Sequence, residues 1–298
     1  MAILYMNLLE FQKNFGTEEQ CLAYLEQTRW SKGRFCPHCK SEKTYKFADG
    51  LLFKCGECKK QFTVKVGTIF SDSKIPLFKW FLAIYLATSL KKGISSMQLS
   101  RYISVTQKSS WFMLQRIRYA IEKSGNGGLL ENVVEVDETY VGGKHSGKRG
   151  RGAEGKTPIV GIVQRKGIVR TETVSDTTAR TVRKIVRDNV KIGTYILTDE
   201  YRSYNRLEQD GYFHGRITHS AGEYANGEIH TNTIEGFWSH LKRGIDGVYH
   251  HVSPKHLQKY CKEFEYRYNT RTMKDFDRFT DSLGLTNQRL TYNQLTNE

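Results

Sequence analysis

Residues 133–137 read VVEVD, a strand-like apolar run that ends in Asp137. A second run, YILT at residues 195–198, leads directly into Asp199. Glu235 lies in a helical pattern, with 35 residues between it and Asp199. Carboxylates from two strand ends and a nearby helix can hold two divalent metal ions about 3.5–4 Å apart. The pattern therefore predicts a two-metal site formed by these three acids.

Both aspartates have an acidic neighbour that competes for the same role. Glu138 follows Asp137 directly, so in a strand its side chain faces the other way, whereas Glu135 and Asp137 share a face. We therefore prefer Asp137 as the ligand. Glu200 competes with Asp199 in the same way.

The helix that starts near Asn232 has a continuous apolar stripe, with residues at i, i+3, i+4, i+7 and i+11: Ile234, Phe237, Trp238, Leu241 and Ile245. Glu235 and Lys242 flank this stripe on the same side, and Lys242 with Arg243 could meet a phosphate. His240 falls on the opposite flank, which argues against it as a ligand to the same metals. Asn232 either assists metal or DNA positioning or caps the helix, and both roles stay open.

The segment that contains these acids alternates strand and helix patterns. Strands are predicted at 132–141, 158–164, 167–174 and 194–199, and a helix at 178–190. This mixed order fits a ribonuclease H-like α/β fold, which centres on a mixed sheet with its acids near the strand ends.

Four of the six cysteines form two CxxC pairs separated by 15 residues: Cys36, Cys39, Cys55 and Cys58. This spacing is typical of a four-cysteine structural zinc site, here in a small β-ribbon. The alternative is two disulfides or free thiols. His38 lies inside the first CxxC turn, and we expect it to be exposed and not to be a zinc ligand.

Residues 71–124 have helical patterns throughout. A short helix at 95–103, a turn at 104–107 and a longer helix form a helix-turn-helix pattern. Polar residues on the longer helix are candidate DNA contacts: Lys108, Ser109, Ser110, Gln115, Arg116 and Arg118. The alternative is a helical connector with solvated charges.

The charge of the chain indicates a polyanionic partner. The net charge is +15, for which nucleic acid is the default partner and a membrane surface the alternative. The Gly-rich segment 142–156 is a candidate basic loop that tracks DNA phosphates through Lys144, Lys148, Arg149 and Arg151, or else a simple solvated loop. We find no apolar run that would span a membrane and no signal peptide, so we expect a cytoplasmic, nucleoid-associated protein.

The patterns together predict an α+β multidomain chain. Its expected parts are an N-terminal helical segment (1–33), a zinc ribbon (34–70), a helix-turn-helix domain (71–124), a ribonuclease H-like catalytic domain (130–272) and a C-terminal tail (273–298).

The order of the motifs CPHC and CGEC, then VDETYVGGK, ILTDEYRSY and HTNTIEGFWSHLKRG resembles bacterial insertion-sequence transposases of the zinc-ribbon DDE type, which are related to the Merlin transposons. The resemblance runs from about residue 7 to 270. It implies that Asp137, Asp199 and Glu235 are the metal-binding triad. In some relatives Asn replaces the final acid, which keeps Asn232 as an alternative.

The resemblance also implies partners and chemistry. Such proteins bind the terminal inverted repeats of their element, cut its ends and join the 3′-ends to target DNA. Two Mg²⁺ or Mn²⁺ ions and a homodimer or larger assembly on paired DNA ends are expected. Two rival functions are a metal-dependent nuclease that does not join DNA, and a non-catalytic DNA-binding regulator derived from a transposase.

Overall fold

The protein divides into two compact units in the computed structural model, which describes residues 6–48, 50–122, 127–142, 155–217 and 230–297. The ribbon unit comprises Met1–Ser124 and Thr272–Glu298, and the sheet unit comprises Gly125–Arg271. None of the helices in these described ranges combines the length and apolar character that a bilayer-crossing segment needs.

The ribbon unit begins with two short helices, α1 (Leu8–Phe15) and α2 (Glu18–Arg29). Each helix starts at a capping box, in which the N-cap side chain and the third helical residue exchange hydrogen bonds, Asn7 with Glu10 and Thr17 with Gln20. An antiparallel three-stranded ribbon follows, made of β1 (Thr44–Lys46), β2 (Phe53–Cys55) and β3 (Gln61–Phe62).

The four paired cysteines converge at one end of this ribbon. Their sulfur atoms all lie within 4.8 Å of one another, with Cys36 and Cys58 3.7 Å apart and Cys39 and Cys55 3.5 Å apart. A tetrahedral site with Zn–S bonds of about 2.3 Å has sulfur–sulfur edges of about 3.8 Å, whereas a disulfide needs about 2.05 Å. The four thiols therefore fit a structural zinc ion, and His38 is exposed as expected.

Three further helices complete the first part of the ribbon unit: α3 (Leu77–Ser89), α4 (Ser96–Ile103) and α5 (Gln107–Glu122). The turn between α4 and α5 confirms the predicted helix-turn-helix. Ser95 caps α4 by accepting a hydrogen bond from Gln98 N at 3.1 Å, and Ser104 ends it in a left-handed conformation.

The structure corrects the interpretation of α5 as a DNA-contacting helix. Four of its six candidate residues are buried, namely Ser110, Gln115, Arg116 and Arg118. Arg116 donates three hydrogen bonds of 2.7–3.1 Å to backbone carbonyls. Six consecutive residues, 113–118, are buried, so neighbouring elements cover this stretch all round. Only Lys108 among the six candidates is classed as exposed.

For the C-terminal residues the sequence allows a short helix or a frayed tail, and the structure has two helices there. These are α9 (Asp275–Gly284) and α10 (Tyr292–Asn297), and α9 belongs to the core of the ribbon unit. Phe279 is fully buried, with its ring centroid 5.2 Å from that of Phe11 and 5.5 Å from that of Phe81. The reason is an apolar face at i, i+3 and i+7, formed by Phe276, Phe279 and Leu283.

The sheet unit contains a five-stranded mixed sheet in the order β6-β5-β4-β7-β8. Strand β4 pairs antiparallel with β5 and parallel with β7, which confirms the predicted ribonuclease H-like mixed sheet. Its elements are β4 (Val133–Gly142), β5 (Lys156–Gln164), β6 (Val169–Thr173), α6 (Ala179–Asn189), β7 (Tyr195–Thr198), β8 (Phe213–Arg216), α7 (Asn232–Gly244) and α8 (Pro254–Asn269). A π-helical turn, Ile245–Tyr249, continues α7.

Helices cover both faces of this sheet. Val134 and Val136 of β4 pack in the core with α6, whereas α7 and α8 pack with Ile159 and Val163 of β5. Because side chains alternate along a strand, Glu135 and Asp137 point to the α7 side.

Helix α8 also hydrogen-bonds the outer edge of the sheet. Three of its side chains take the place of a neighbouring strand for the backbone of β6. Gln258 contacts Thr171 O and Thr173 N, Glu265 accepts from Thr171 N, and Asn269 contacts both Val169 N and Val169 O, at 2.6–3.0 Å.

The buried carboxylate of Glu135 connects β4 to the start of α7. It accepts hydrogen bonds from the backbone N–H groups of Thr233 and Ile234 at 2.9 and 3.0 Å, and from Thr233 Oγ1 at 2.8 Å. Arg165 Nε donates to the same carboxylate at 2.7 Å and also contacts His230. A carboxylate at a helix N-terminus satisfies free N–H groups and the positive end of the helix dipole.

Replacement of Glu135 by Ala should lower the free energy of unfolding by about 3 kcal/mol or more, because it removes the buried carboxylate that pairs with Arg165 Nε and caps the start of α7. Urea-induced unfolding followed by circular dichroism measures the change. Glu131→Ala is the matched control, since Glu131 makes an exposed ion pair with Lys191 whose loss should change stability by at most about 1 kcal/mol. Equal losses in both variants would contradict the prediction.

Candidate catalytic site

Three carboxylates meet where β7 ends beside the middle of the longer strand β4. Asp137, Glu138 and Asp199 each offer an oxygen atom, and these atoms lie within 4.8 Å of one another. Because β4 and β7 are parallel and Glu135 pairs with Leu197, two further residues bring Asp137 and Asp199 to the same level. A compact set of carboxylate oxygens is the ligand type that Mg²⁺ and Mn²⁺ prefer.

The surroundings of Asp137 disfavour its negative charge. Burial, reinforced by the nearby charges of Glu138 and Asp199, raises the pKa of Asp137 to about 7. The indole N–H of Trp238, on α7, donates a hydrogen bond to Asp137 Oδ2 at 3.0 Å and partly opposes this shift. A divalent cation would relieve the repulsion among the carboxylates.

Trp238 reaches Asp137 because the residue that pairs with Asp137 on the neighbouring strand is a glycine. Gly161 of β5 pairs directly with Asp137. A Cβ atom at Gly161 would lie 2.4 Å from the Trp238 ring and 3.0 Å from Ile234 Cδ1. The missing side chain therefore makes room for the indole beside the acid.

The position of Glu138 differs from the expectation that its side chain is directed away from the site. Its carboxylate accepts a hydrogen bond from the buried hydroxyl of Tyr204, on the α6 side of the sheet, yet it still joins the cluster. Strand β7 ends at Thr198, so it no longer lies beside β4 at the level of Glu138. Carboxylates from both faces of β4 can therefore approach one another around the open edge.

Asp199 follows β7 directly and turns the chain away from the sheet. Its Oδ1 accepts the backbone N–H of Tyr201 at 2.9 Å, which fixes the carboxylate in a short turn. Glu200, its competitor, is exposed and does not join the three-carboxylate cluster of the described residues.

Glu235 lies on α7 one turn before Trp238, outside the three-carboxylate cluster found among the described residues. It is exposed and accepts a hydrogen bond from Thr231 Oγ1 at 2.8 Å. Asn232 is the first helical residue, and the N-cap position belongs to Thr231, which differs from the capping role weighed for Asn232.

The predicted basic contacts divide into exposed and undescribed residues. Lys242 and Arg243 are exposed on the last turn of α7, and Arg243 is hydrogen-bonded to Ser239. His240 is exposed. The candidates of the Gly-rich loop lie outside the described residues: Lys144, Lys148, Arg149 and Arg151.

Sequence reasoning missed three neighbours of the acids: Glu135 as the cap of α7, Trp238 as the donor to Asp137, and Tyr204 as the donor to Glu138. Trp238 was placed in the apolar stripe, where its N–H has no visible partner. The alternation that puts Glu135 and Asp137 on one face was the available signal for the first two.

Matches to known proteins agree with this arrangement. Residues 129–269 match the ISXO2-like transposase domain, and residues 16–61 match the transposase zinc-ribbon domain. The Halobacterium salinarum uncharacterized protein in transposable element ISH50 is 30% identical over 275 residues, 86% of this chain and 92% of that protein. A Haemophilus influenzae uncharacterized transposase-like protein is 33% identical over 106 residues, 36% of this chain and 85% of the relative.

Likeness to solved structures is slight: the Mos1 strand transfer complex aligns with 64% of this chain and 73% of that chain at 13% identity and a TM-score of 0.24.

The zinc ribbon, the mixed sheet and the family matches define a transposase of the DDE type. Within that class, the chain belongs to the ISXO2-like transposases.

Gly161→Ala should lower the free energy of unfolding by about 1–3 kcal/mol, because the new methyl group collides with a buried indole. It should also shift the tryptophan fluorescence as Trp238 leaves Asp137. Gly236→Ala is the control: its Cβ meets no described atom within 4 Å, and in a helix the change should stabilise by up to about 1 kcal/mol. A fluorescence spectrum unchanged in Gly161→Ala would contradict the prediction.

Magnesium should bind about tenfold more weakly at pH 6 than at pH 8, because a proton competes for Asp137 below its pKa of about 7. Because the pKa of Asp137 is lower in the unfolded chain than in the folded protein, the folded state binds the proton more tightly. The contribution of Asp137 to the free energy of unfolding of the metal-free protein therefore falls as pH rises from about 4 to 7. Isothermal titration calorimetry measures the affinity. In Asp137→Asn this pH dependence should disappear, and a wild-type affinity that is equal at both pH values would contradict the assignment.

Proposed function

We propose that the protein is the DNA transposase of an insertion sequence, which binds terminal inverted repeats, cuts the element ends and joins them to target DNA. The observation that carries the proposal is the acidic cluster in the middle of β4 and at the end of β7, beside α7. It lies in the part of the chain that matches the ISXO2-like transposase domain.

Asp137 and Asp199 would hold divalent metal, Mg²⁺ or Mn²⁺, and Glu235 is the proposed third ligand from α7. Two bound ions would activate the attacking oxygen and stabilise the oxygen that leaves phosphorus. Glu138 adds negative charge next to this site and is held by Tyr204. Glu235 and Glu138 are rival candidates for the third metal ligand, and mutation of each distinguishes them.

The remaining residues would bring DNA to the acids. Lys242 lies seven residues, or about two turns, after Glu235 on the same helix, so its ammonium group can meet a phosphate that approaches the site. Arg243 and the basic residues of the Gly-rich loop would add to the attraction, in keeping with the net charge of +15. Zinc held by the four cysteines would be structural, since four protein ligands leave no open position.

The assembly is proposed to be a homodimer or larger complex on paired DNA ends. As an enzyme that acts on chromosomal DNA, it would work in the cytoplasm at the nucleoid.

The test is magnesium-dependent cleavage and joining of a labelled duplex that ends in the gene's own flanking repeat. Asp137→Ala, Asp199→Ala and Glu235→Gln should each reduce joined product by on the order of 10²-fold or more, because each removes a metal ligand. The activities of Asn232→Ala and Glu138→Gln show whether Asn232 or Glu138 also acts as a metal ligand. Glu208→Gln, an exposed acid of the sheet unit, is the control and should keep wild-type activity.

Two results would overturn the proposal. Cleavage without joined product from pre-cut ends would indicate a nuclease. Tight binding of the repeat without metal-dependent chemistry in the wild-type protein would indicate a DNA-binding regulator.

A further inference from the structure

The helical part of the ribbon unit contains a long stretch without negative charge. Residues 73–121 include five lysines and three arginines but no aspartate or glutamate. Such a stretch produces a positive potential that favours a polyanion over most protein partners. The exposure of each helix in this stretch decides which of them can contact that partner.

Helix α5 cannot present a reading face, although it is the second helix of the helix-turn-helix. Its residues 113–118 are all buried, and the guanidinium of Arg116 donates to backbone carbonyls of the ribbon unit. A helix that enters a DNA groove must expose several side chains along one face. Only the first turn of α5, at Gln107 and Lys108, is classed as exposed.

Helix α4 has the opposite character. Leu99 and Ile103 anchor it in the core, whereas the residues at i, i+1, i+4 and i+5 form one exposed face: Met97, Gln98, Arg101 and Tyr102. Met97 is 52% exposed and Tyr102 is 56% exposed. Gln98 Nε2 donates a hydrogen bond to Tyr102 Oη at 2.8 Å, which aligns two of these side chains along the helix.

Exposed lysines lie near the start of α4. Lys91 and Lys92 come just before α4, in the turn that follows α3. Lys108 comes from the first turn of α5, and Gln107 beside it donates to Ser96 Oγ at 2.8 Å, so this turn adjoins the start of α4. Lysines next to a row of exposed polar side chains suit contacts with phosphates beside base edges.

We propose that α4, and not α5, is the helix that contacts base edges in the major groove of duplex DNA. Arg101 and Gln98 supply the side chains that pair with guanine and adenine edges, and Met97 offers an apolar contact for a thymine methyl group. Lys91, Lys92 and Lys108 contact the flanking phosphates. This inference rests on the proposed function, because it assigns the surface that recognises the terminal repeat.

The experiment measures binding of the full-length protein to a fluorescent duplex of the flanking repeat and to a scrambled duplex, without added magnesium. Gln98→Ala and Arg101→Ala should each weaken repeat binding about 5- to 100-fold and change scrambled binding little. Lys91→Ala and Lys92→Ala should weaken binding to both duplexes alike and reduce the salt slope by about 1 each.

Matched controls come from α1, whose exposed Gln12 and Lys13 lie on another helix of the ribbon unit. Gln12→Ala and Lys13→Ala should bind both duplexes like the wild type. All the substituted side chains are exposed, so thermal unfolding should remain unchanged, and any loss of binding then reports contact with DNA.

Repeat binding at wild-type affinity in both Gln98→Ala and Arg101→Ala would overturn the inference. Wild-type protein that binds the two duplexes equally would overturn it together with repeat recognition. Loss of cutting and joining chemistry with repeat-specific binding intact would refute the proposed function alone, because the binding assay needs no catalysis.

Discussion

The hydrogen bonds of Glu135 are the constraint on which the candidate catalytic site depends. A charged carboxylate is unfavourable inside a protein unless donors surround it, and here the first turn of α7, Thr233 and Arg165 provide them. The same contacts fix where α7 starts along β4. About one and a half turns after Thr233 on α7, Trp238 donates its hydrogen bond to Asp137. Glu235 lies between Thr233 and Trp238 on the same helix. A capping interaction between elements far apart in the sequence thus sets the position of Trp238 beside Asp137.

The cluster of acids shows how the fold holds like charges close together. Three carboxylates within 4.8 Å repel one another, and the raised pKa of Asp137 expresses that repulsion together with its burial. Rigid elements hold them in place: β4 on one side, the Asp199 turn on the other, and Tyr204 beneath Glu138. Unfavourable charge held in this way favours cation binding at the expense of stability in the metal-free protein.

Local patterns allowed the sequence to predict the sheet, the zinc ribbon and two of the clustered acids. The apolar runs before Asp137 and Asp199 and the CxxC spacing each depend on neighbouring residues only. Errors arose where distant residues decide the outcome. Arg116 is polar in sequence, but the carbonyls of Ile69, Ser71 and Leu290 enclose it. Glu138 joined the cluster because β7 ends beside it, and no pattern within β4 reveals that.

The hydrogen bonds between α8 and β6 have a consequence for assembly. The outer strand of a sheet normally offers free N–H and C=O groups, which can template the addition of a strand from another molecule. Here the side chains of Gln258, Glu265 and Asn269 already occupy those groups at Val169, Thr171 and Thr173. A foreign strand would have to displace five hydrogen bonds before it could pair, so aggregation through this edge is blocked. Copies crowded together on DNA could therefore meet without their sheets fusing at β6.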